Sequence, residues 1–389
     1  MISVTEAFSI LENLNYSPRI VELPLLGARN HVLAETLYAP ISMPPFRQSN
    51  MDGFALCLHD ALEYEIIGEV KAGDENQIDL QPGQAVKIFT GAAVPHSAQA
   101  VIQIEKVVVE RDLLKLEANV VPETNVRPLG SQIKQNDVAL EKGTVLNPAA
   151  IGFLAGLGFT KVRVYQKPKV GIVVTGNELV APGSPLPYGK VYESNAVMLQ
   201  TALYNAFYDE VQTYQVEDNL ESTEAILAKA ITENEVVLVS GGISVGDYDF
   251  VGKALERLSV ETLFYKVSQK PGKPLLFGKK DDRLVFALPG NPAASLTCFY
   301  IHVLPTLHRW SGMVISYESK ITMTLAHDYT VNNSRDQFLK ATVKGETVTI
   351  LPHQDSSMLD SFAHANALVF LPKGAYEVHQ NDAVKVYLL

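Results

Sequence analysis

The stretch EVVLVSGGISVGDYDFVGKALERL, residues 235–258, sends an apolar strand directly into a glycine-rich turn and then into a helical pattern. That order is one βα unit of a sheet buried on both faces. Its neighbours repeat the alternation. Upstream lie KVGIVVT (169–175), SNAVMLQTALYNAFY (194–208), EVQTYQV (210–216) and LESTEAILAKAITEN (220–234). Downstream come the strand ETLFYKV (261–267), a strand pair around PLLFG (274–278) and LVFAL (284–288), and a helix opening at NPAASL (291–296). Short strands alternating with helices of this length predict a doubly wound α/β domain over 168–312. Asn291 is suited to cap the last helix, with Pro292 at its first position.

The flanks read differently. Between 44 and 140, β-rich runs such as YEIIGEV, QAVKIFT and AVIQIEKVVVE are split by Gly, Pro and Asp turns, which predicts a small β-rich domain. Residues 313–389 repeat the style with KITMTLA, FLKATV, ETVTILP and AVKVYLL, and predict a second, barrel-like β domain. Helical pieces near 3–15 and 148–158 flank the first β domain, so 1–43 and 141–167 are expected to pack together as an elongated linking domain.

Bulk properties bound the function. A chain of 389 residues, 47% of them hydrophobic, supports several cores. With 32 basic against 43 acidic residues and a formal net charge of −11, binding to nucleic acid or acidic membranes through the overall field is excluded, so an anionic ligand must meet a local cluster. Only Cys57 and Cys298 are present, without metal-ligand spacing, which points to a cytoplasmic setting. The start lacks a signal-peptide pattern, and AAIGFLAGLGF (149–159) is too short to span a bilayer.

Such a cluster exists. Five lysines and no acid lie between Lys266 and Lys280, and in QKPGKP (269–274) two prolines stiffen the loop that carries Lys270 and Lys273. Lys279 and Lys280 read as a solvated run. The turn after Ser240 offers Gly241, Gly242, Ser244 and Gly246, whose lack of side chains lets backbone approach an anion; a ligand-free tight turn reads equally well from this stretch alone. Asp247 and Asp249 suit a Mg²⁺ ion bridging to phosphate, or one of them caps the following helix. VVTGNELV (173–180) presents Glu178, and LPGNPAAS (288–295) presents Pro289, Gly290 and Asn291. All these turns belong to the carboxyl edge of the sheet, where open α/β sheets bind ligands. Asp52 in SNMDGFAL and Thr90 in FTGAAVP lie on turns of the first β domain.

The segments SNMDGFA, TGAAVP, NVRPLG, TGNELV, YESNA, SGGISVGDYDFV, KPGKP and LPGNP together resemble, in order and over essentially the whole chain, the molybdopterin molybdenumtransferases, the MoeA-type proteins that include the E domain of gephyrin. The resemblance implies a MogA-like α/β domain and an enzyme of molybdenum-cofactor synthesis that takes adenylylated molybdopterin, releases AMP with Mg²⁺ and inserts molybdate at the dithiolene. It implies a homodimer whose active site is shared between subunits, with a molybdopterin adenylyltransferase and molybdoenzyme maturation factors as partners. It puts Asp52, Thr90, Glu178, Asp218, Asp249, Lys266, Lys270 and Ser356 in or near the active site, with Glu178, Asp218 and Asp249 toward the metal. Two positions depart from the family pattern: Gln132 stands for an Asp, and Lys340 for an Arg, keeping the charge but not the planar fork. The alternatives are the preceding adenylyl transfer, or a scaffold of the same fold impaired in catalysis.

Overall fold

Strands β1 (Val170–Thr175), β2 (Val211–Val216) and β3 (Val236–Ser240) run parallel in a computed structural model that describes residues 1–16, 18–75, 77–243 and 250–389. The chain divides into two units, Met1–Val21 with Tyr165–Leu389, and Glu22–Val164.

In the first unit, β4 (Glu261–Tyr265), β6 (Leu276–Lys280) and β7 (Arg283–Leu288) complete a six-stranded sheet in the order β2-β1-β3-β7-β6-β4. β7 is parallel to β3, whereas β6, beyond it toward the edge, runs antiparallel to both β7 and β4. The expected parallel sheet therefore ends in an antiparallel pair, because the short link from β6 to β7 permits only a hairpin. Strand residues alternate between two cores, as the pleat demands. Ile172, Val174, Leu238 and Phe286 face one, and Val173, Val237, Val239 and Val285 the other. The first core is covered by α1 (Val4–Glu12), α2 (Asn195–Asn205) and α5 (Pro292–Cys298), the second by α3 (Leu220–Glu233) and α4 (Phe250–Arg257).

Helix α1 starts at a capping box: Ser3 Oγ accepts from the Glu6 N–H, while Glu6 accepts from the Ser3 N–H. Its stripe of Val4, Ala7, Phe8 and Leu11 is buried in the α/β core. The chain start thus belongs to the first unit, while the helix Pro148–Gly156 belongs to the second. Of the segments expected to pack together, 1–43 and 141–167, the part up to Val21 goes with the α/β core, since an amphipathic stripe goes to whichever apolar face is open to it. The residues after it share the second unit with the later segment, with Leu33 N–H donating to the Thr144 carbonyl and Ala34 N–H to the Arg163 carbonyl.

The same unit carries a β-barrel. β8 (Thr322–Leu325), β9 (Asp336–Lys344), β10 (Thr347–Ile350), β11 (Ala367–Leu371) and β12 (Ala383–Leu388) pair in the order β9-β10-β8-β12-β11, and β11 pairs with β9 to close the ring. Leu339, Ala341, Val348, Val369 and Val386 fill it. One further strand, β5 (Gln269–Lys270), pairs in parallel with Asp336 and Gln337 of β9, so the lysine loop is hydrogen-bonded to the barrel.

The second unit is built on a mixed six-stranded sheet with Gly53–Leu56 between Gln84–Ile88 and Ala100–Gln103. Phe54 and Leu56 pack on one side, Ala55 and Cys57 on the other.

Candidate active site

The strand order makes a crevice. From β1 the chain goes to one side, to β2, and then returns to the other side as β3, so the carboxyl ends of β1 and β3 diverge at a topological switch point. A cleft of about 1030 Å³ opens there, lined by Thr175, Ser240, Gly241 and Gly242 from those ends and by Pro289, Gly290 and Asn291 beyond β7. Glu178, Asp218, Lys266, Lys270, Lys273 and Ser356 line the same cleft. Eleven of the residues expected at the site are therefore together. Ser244, Gly246, Asp247 and Asp249 lie outside the described residues.

Each wall is held locally. Gly242 has φ +67°, and a Cβ there would come within 2.6 Å of Val251 Cγ2 and 2.9 Å of Thr175 Oγ1, so the turn after β3 requires glycine. The loops after β1 and β2 are joined reciprocally: Asn177 N–H donates to Asp218 Oδ2 at 3.2 Å, and Asp218 N–H to Asn177 Oδ1 at 3.1 Å. This sets Glu178 and Asp218 on neighbouring loops. Asn291 stands at the N-cap position of α5, yet its side chain makes no cap bond; Nδ2 instead donates to Ser356 Oγ at 2.7 Å. The expected capping role is thus replaced by a tie to the barrel loop, which leaves the Ser356 O–H free to donate.

Beneath the lysine loop lies a buried polar chain. Gln269, fully buried, accepts from His302 Nε2 at 2.8 Å and donates to the Pro271 carbonyl at 3.1 Å. Since Gln269 Nε2 is used as a donor, Oε1 is the acceptor and His302 carries its proton on Nε2. Burial pushes the His302 pKa down to about 3, so the ring is neutral. Gly272, at φ +93°, passes so close to this layer that a Cβ would stand 2.5 Å from Cys298 Sγ. Above it the chain start braces the loop: Ile2 N–H donates to the Lys266 carbonyl at 3.0 Å and Ser268 N–H to the Ile2 carbonyl at 2.7 Å. Lys266, at φ +65°, rests its ammonium 4.8 Å from the Tyr265 ring centroid.

Several cleft residues were not expected from the sequence. Arg335, whose Nη1 donates to the Gln269 carbonyl at 3.3 Å, adds a planar cation from just before β9, far along the chain from the lysines. Asn195 donates Nδ2 to Ser240 Oγ and to the Gly290 carbonyl, both at 2.8 Å, tying two of the glycine turns together. The segment YESNA carried the signal for Asn195; nothing local marks Arg335. Lys266, Lys270, Lys273 and Arg335 share the cleft with Glu178, Glu193, Asp218 and Asp355. Among the described residues, no group of three or more His, Cys, Asp or Glu is placed to hold a metal.

Asp52 and Thr90 belong to the second unit. There the Thr90 hydroxyl and N–H both donate to Asp52 Oδ1 at 2.7 Å, and these bonds, the hydroxyl first, hold the Asp52 carboxyl below the usual carboxylate range. Gln132, in the same unit, donates its N–H to the Met43 carbonyl at 2.9 Å.

Comparison with known proteins agrees along the whole chain. Residues 2–158 match the MoeA N-terminal region (domain I and II), residues 171–309 the family described as "Probable molybdopterin binding domain", and residues 322–389 the MoeA C-terminal region (domain IV). Relatives named molybdopterin molybdenumtransferase, from Staphylococcus epidermidis and Staphylococcus aureus, are each 32% identical over 400 aligned residues, covering 100% of this chain and 95% of the relative. A crystal structure of a MoeA protein of molybdopterin biosynthesis from Pyrococcus horikoshii is 31% identical, with a TM-score of 0.82 over 100% of this chain and 99% of that one. A second from the same organism is 29% identical, with a TM-score of 0.83 over 100% of both. This chain belongs to the molybdopterin molybdenumtransferase (MoeA) family.

Proposed function

We propose that this protein inserts molybdate into adenylylated molybdopterin, with release of AMP, in the cleft between β1 and β3. The observation that carries this reading is the convergence of Lys266, Lys270, Lys273 and Arg335 with the glycine turns at 241–242 and 290 on a single cleft at the switch point. Adenylylated molybdopterin and molybdate are anions, and in this acidic chain the cleft offers them four cations beside acids that suit a bridging metal ion. A volume of about 1030 Å³ suits a ligand with two bulky ends.

The roles follow from the groups. Lys270 and Lys273, on the stiff loop, hold phosphate or molybdate oxygens; Lys266 and Arg335 flank them; the free O–H of Ser356 donates to the same oxygens; Gly241, Gly242 and Gly290 let the backbone approach. Glu178 and Asp218, oxygen donors on joined loops, fit a hard divalent cation, and Asp249 is the third acid expected with them. When bound, Mg²⁺ would neutralise charge on the phosphates as AMP leaves.

The adenylyltransferase alternative is not favoured, because the relatives that match from end to end carry the molybdenumtransferase name. A homodimer that pairs Asp52 and Thr90 of one subunit with the cleft of the other, and a cytoplasmic location, belong to the same proposal. Among the described residues, no helix is long and apolar enough to cross a membrane.

The decisive experiment measures AMP release from adenylylated molybdopterin with and without molybdate and Mg²⁺. Release that needs Mg²⁺ and yields molybdenum-loaded cofactor supports the reading. Synthesis of adenylylated molybdopterin from molybdopterin and ATP would favour the alternative, and absence of either reaction under any divalent cation would favour the scaffold.

A further inference from the structure

Two cations, Arg335 just before β9 and Lys340 in its middle, have different surroundings. Arg335 lines the cleft, whereas Lys340 is not among the lining residues and is only 2% exposed. Its ammonium is taken up by backbone carbonyls of one loop: His353 at 2.6 Å, Met358 at 2.9 Å and Asp355 at 3.4 Å. An ammonium has three donors, so all are used inside residues 353–358. Gln354 engages the same residue from the backbone side, accepting from the Lys340 N–H and donating to the Lys340 carbonyl, each at 2.9 Å.

The loop wound around Lys340 also forms a wall of the cleft through Gln354, Asp355 and Ser356. Ser356 is anchored on its far side by α5: its carbonyl accepts from the Ala294 N–H at 3.1 Å and its Oγ from Asn291 at 2.7 Å. A buried ammonium is costly unless its donors are satisfied, and here it is satisfied by the carbonyls that shape the loop. The His353 carbonyl also accepts from Ser361 Oγ at 2.9 Å and the Asp355 carbonyl from the Met358 N–H at 3.2 Å, so removing the ammonium would take its donor from the Met358 carbonyl and the loop's centre from all three.

We infer that Lys340 is a positioning residue: it sets the 353–358 loop so that Ser356 meets the anionic substrate, while Arg335 is the cation of this segment that faces the ligand. This inference rests on the proposed role of Ser356 in binding the substrate anion.

A double-mutant cycle on the full-length protein tests it, with AMP release read at sub-saturating adenylylated molybdopterin in Lys340→Met, Ser356→Ala and the double variant. If Lys340 acts through Ser356, the two losses will fall short of multiplying by at least about fivefold, as coupled neighbours do. Lys340→Arg should recover part of the loss. The loop is read separately from the ¹³C-methyl resonance of Met358, assigned through Met358→Leu; it should shift in Lys340→Met and stay in place in Ser356→Ala. Losses that multiply fully, or an unmoved Met358 resonance in Lys340→Met, would overturn the inference. Full turnover in Ser356→Ala would instead overturn the anion-site reading, with the Met358 resonance still deciding whether Lys340 holds the loop. Should Lys340→Met lose its cooperative melt, Gln354→Ala takes its place in the cycle and faces the same two outcomes.

Discussion

Lys270 and His302 show how one loop divides binding from support. Lys270 is exposed in the cleft, on a strand hydrogen-bonded to the barrel. Lys270→Ala should cut turnover at sub-saturating substrate at least about tenfold while shifting stability by less than about 1 kcal/mol, as for a surface position without packing. Equal activity in the variant would remove Lys270 from the site. His302 acts below it. Its folded pKa of about 3 lies under the ordinary 6.5, so as pH falls the unfolded chain takes up a proton before the folded one does. The stability from the neutral ring is therefore full above about pH 6.5 and lost progressively toward pH 3. Thermal melts across that window should fall more steeply for the natural protein than for His302→Gln, and parallel slopes would clear His302 of this role.

The lysine loop is an element with three supports: the Gln269–His302 layer below, strand β9 beside it and the chain start above. Gly272→Ala attacks the first. With φ at +93° and Cys298 Sγ and Gln269 Nε2 within 2.7 Å of the new Cβ, the loop must shift or the layer must open. A loss of about 1–3 kcal/mol in stability is expected, together with weaker substrate binding, because the same backbone aims Lys270 and Lys273. Denaturant melts and the KM of the AMP-release assay check both parts; an unchanged KM would show that the loop tolerates the shift. The stiffness of this loop was legible from Pro271 and Pro274, but its depth was not. Gln269 and His302 lie apart in sequence, and neither residue type announces a buried partner.

On the scale of the whole molecule, the homodimer proposal predicts complementation. When Asp52→Asn and Lys270→Ala chains are mixed and exchange freely, half the dimers are mixed, and in each of those one site carries both lesions and the other none. Activity should recover to about a quarter of the natural level from two impaired parents. A verified mixed dimer without recovery would mean that each site is built within one chain. Sedimentation of the purified protein supplies the prior measurement, since a monomer would end the proposal.

The sequence by itself determined the doubly wound α/β domain, the β-rich flanks and the cleft's lysine and glycine turns. Period-two strands, helical stripes and the demands of Gly and Pro on backbone angles are local signals. It did not determine where α1 would go: the stripe of Val4, Ala7, Phe8 and Leu11 announces an apolar partner without naming it, and the α/β core supplies that partner. Nor could it bring Arg335 beside Lys270, give Asn291 a bond to Ser356 in place of its cap, or turn the Lys340 ammonium into its loop. The first two depend on the closed barrel pairing with β5 and bringing its 353–358 loop against α5, and the third on how the barrel's own loop folds over β9. Contacts between residues distant in sequence are set by packing and hydrogen-bond satisfaction in three dimensions, and no short stretch of residues encodes them.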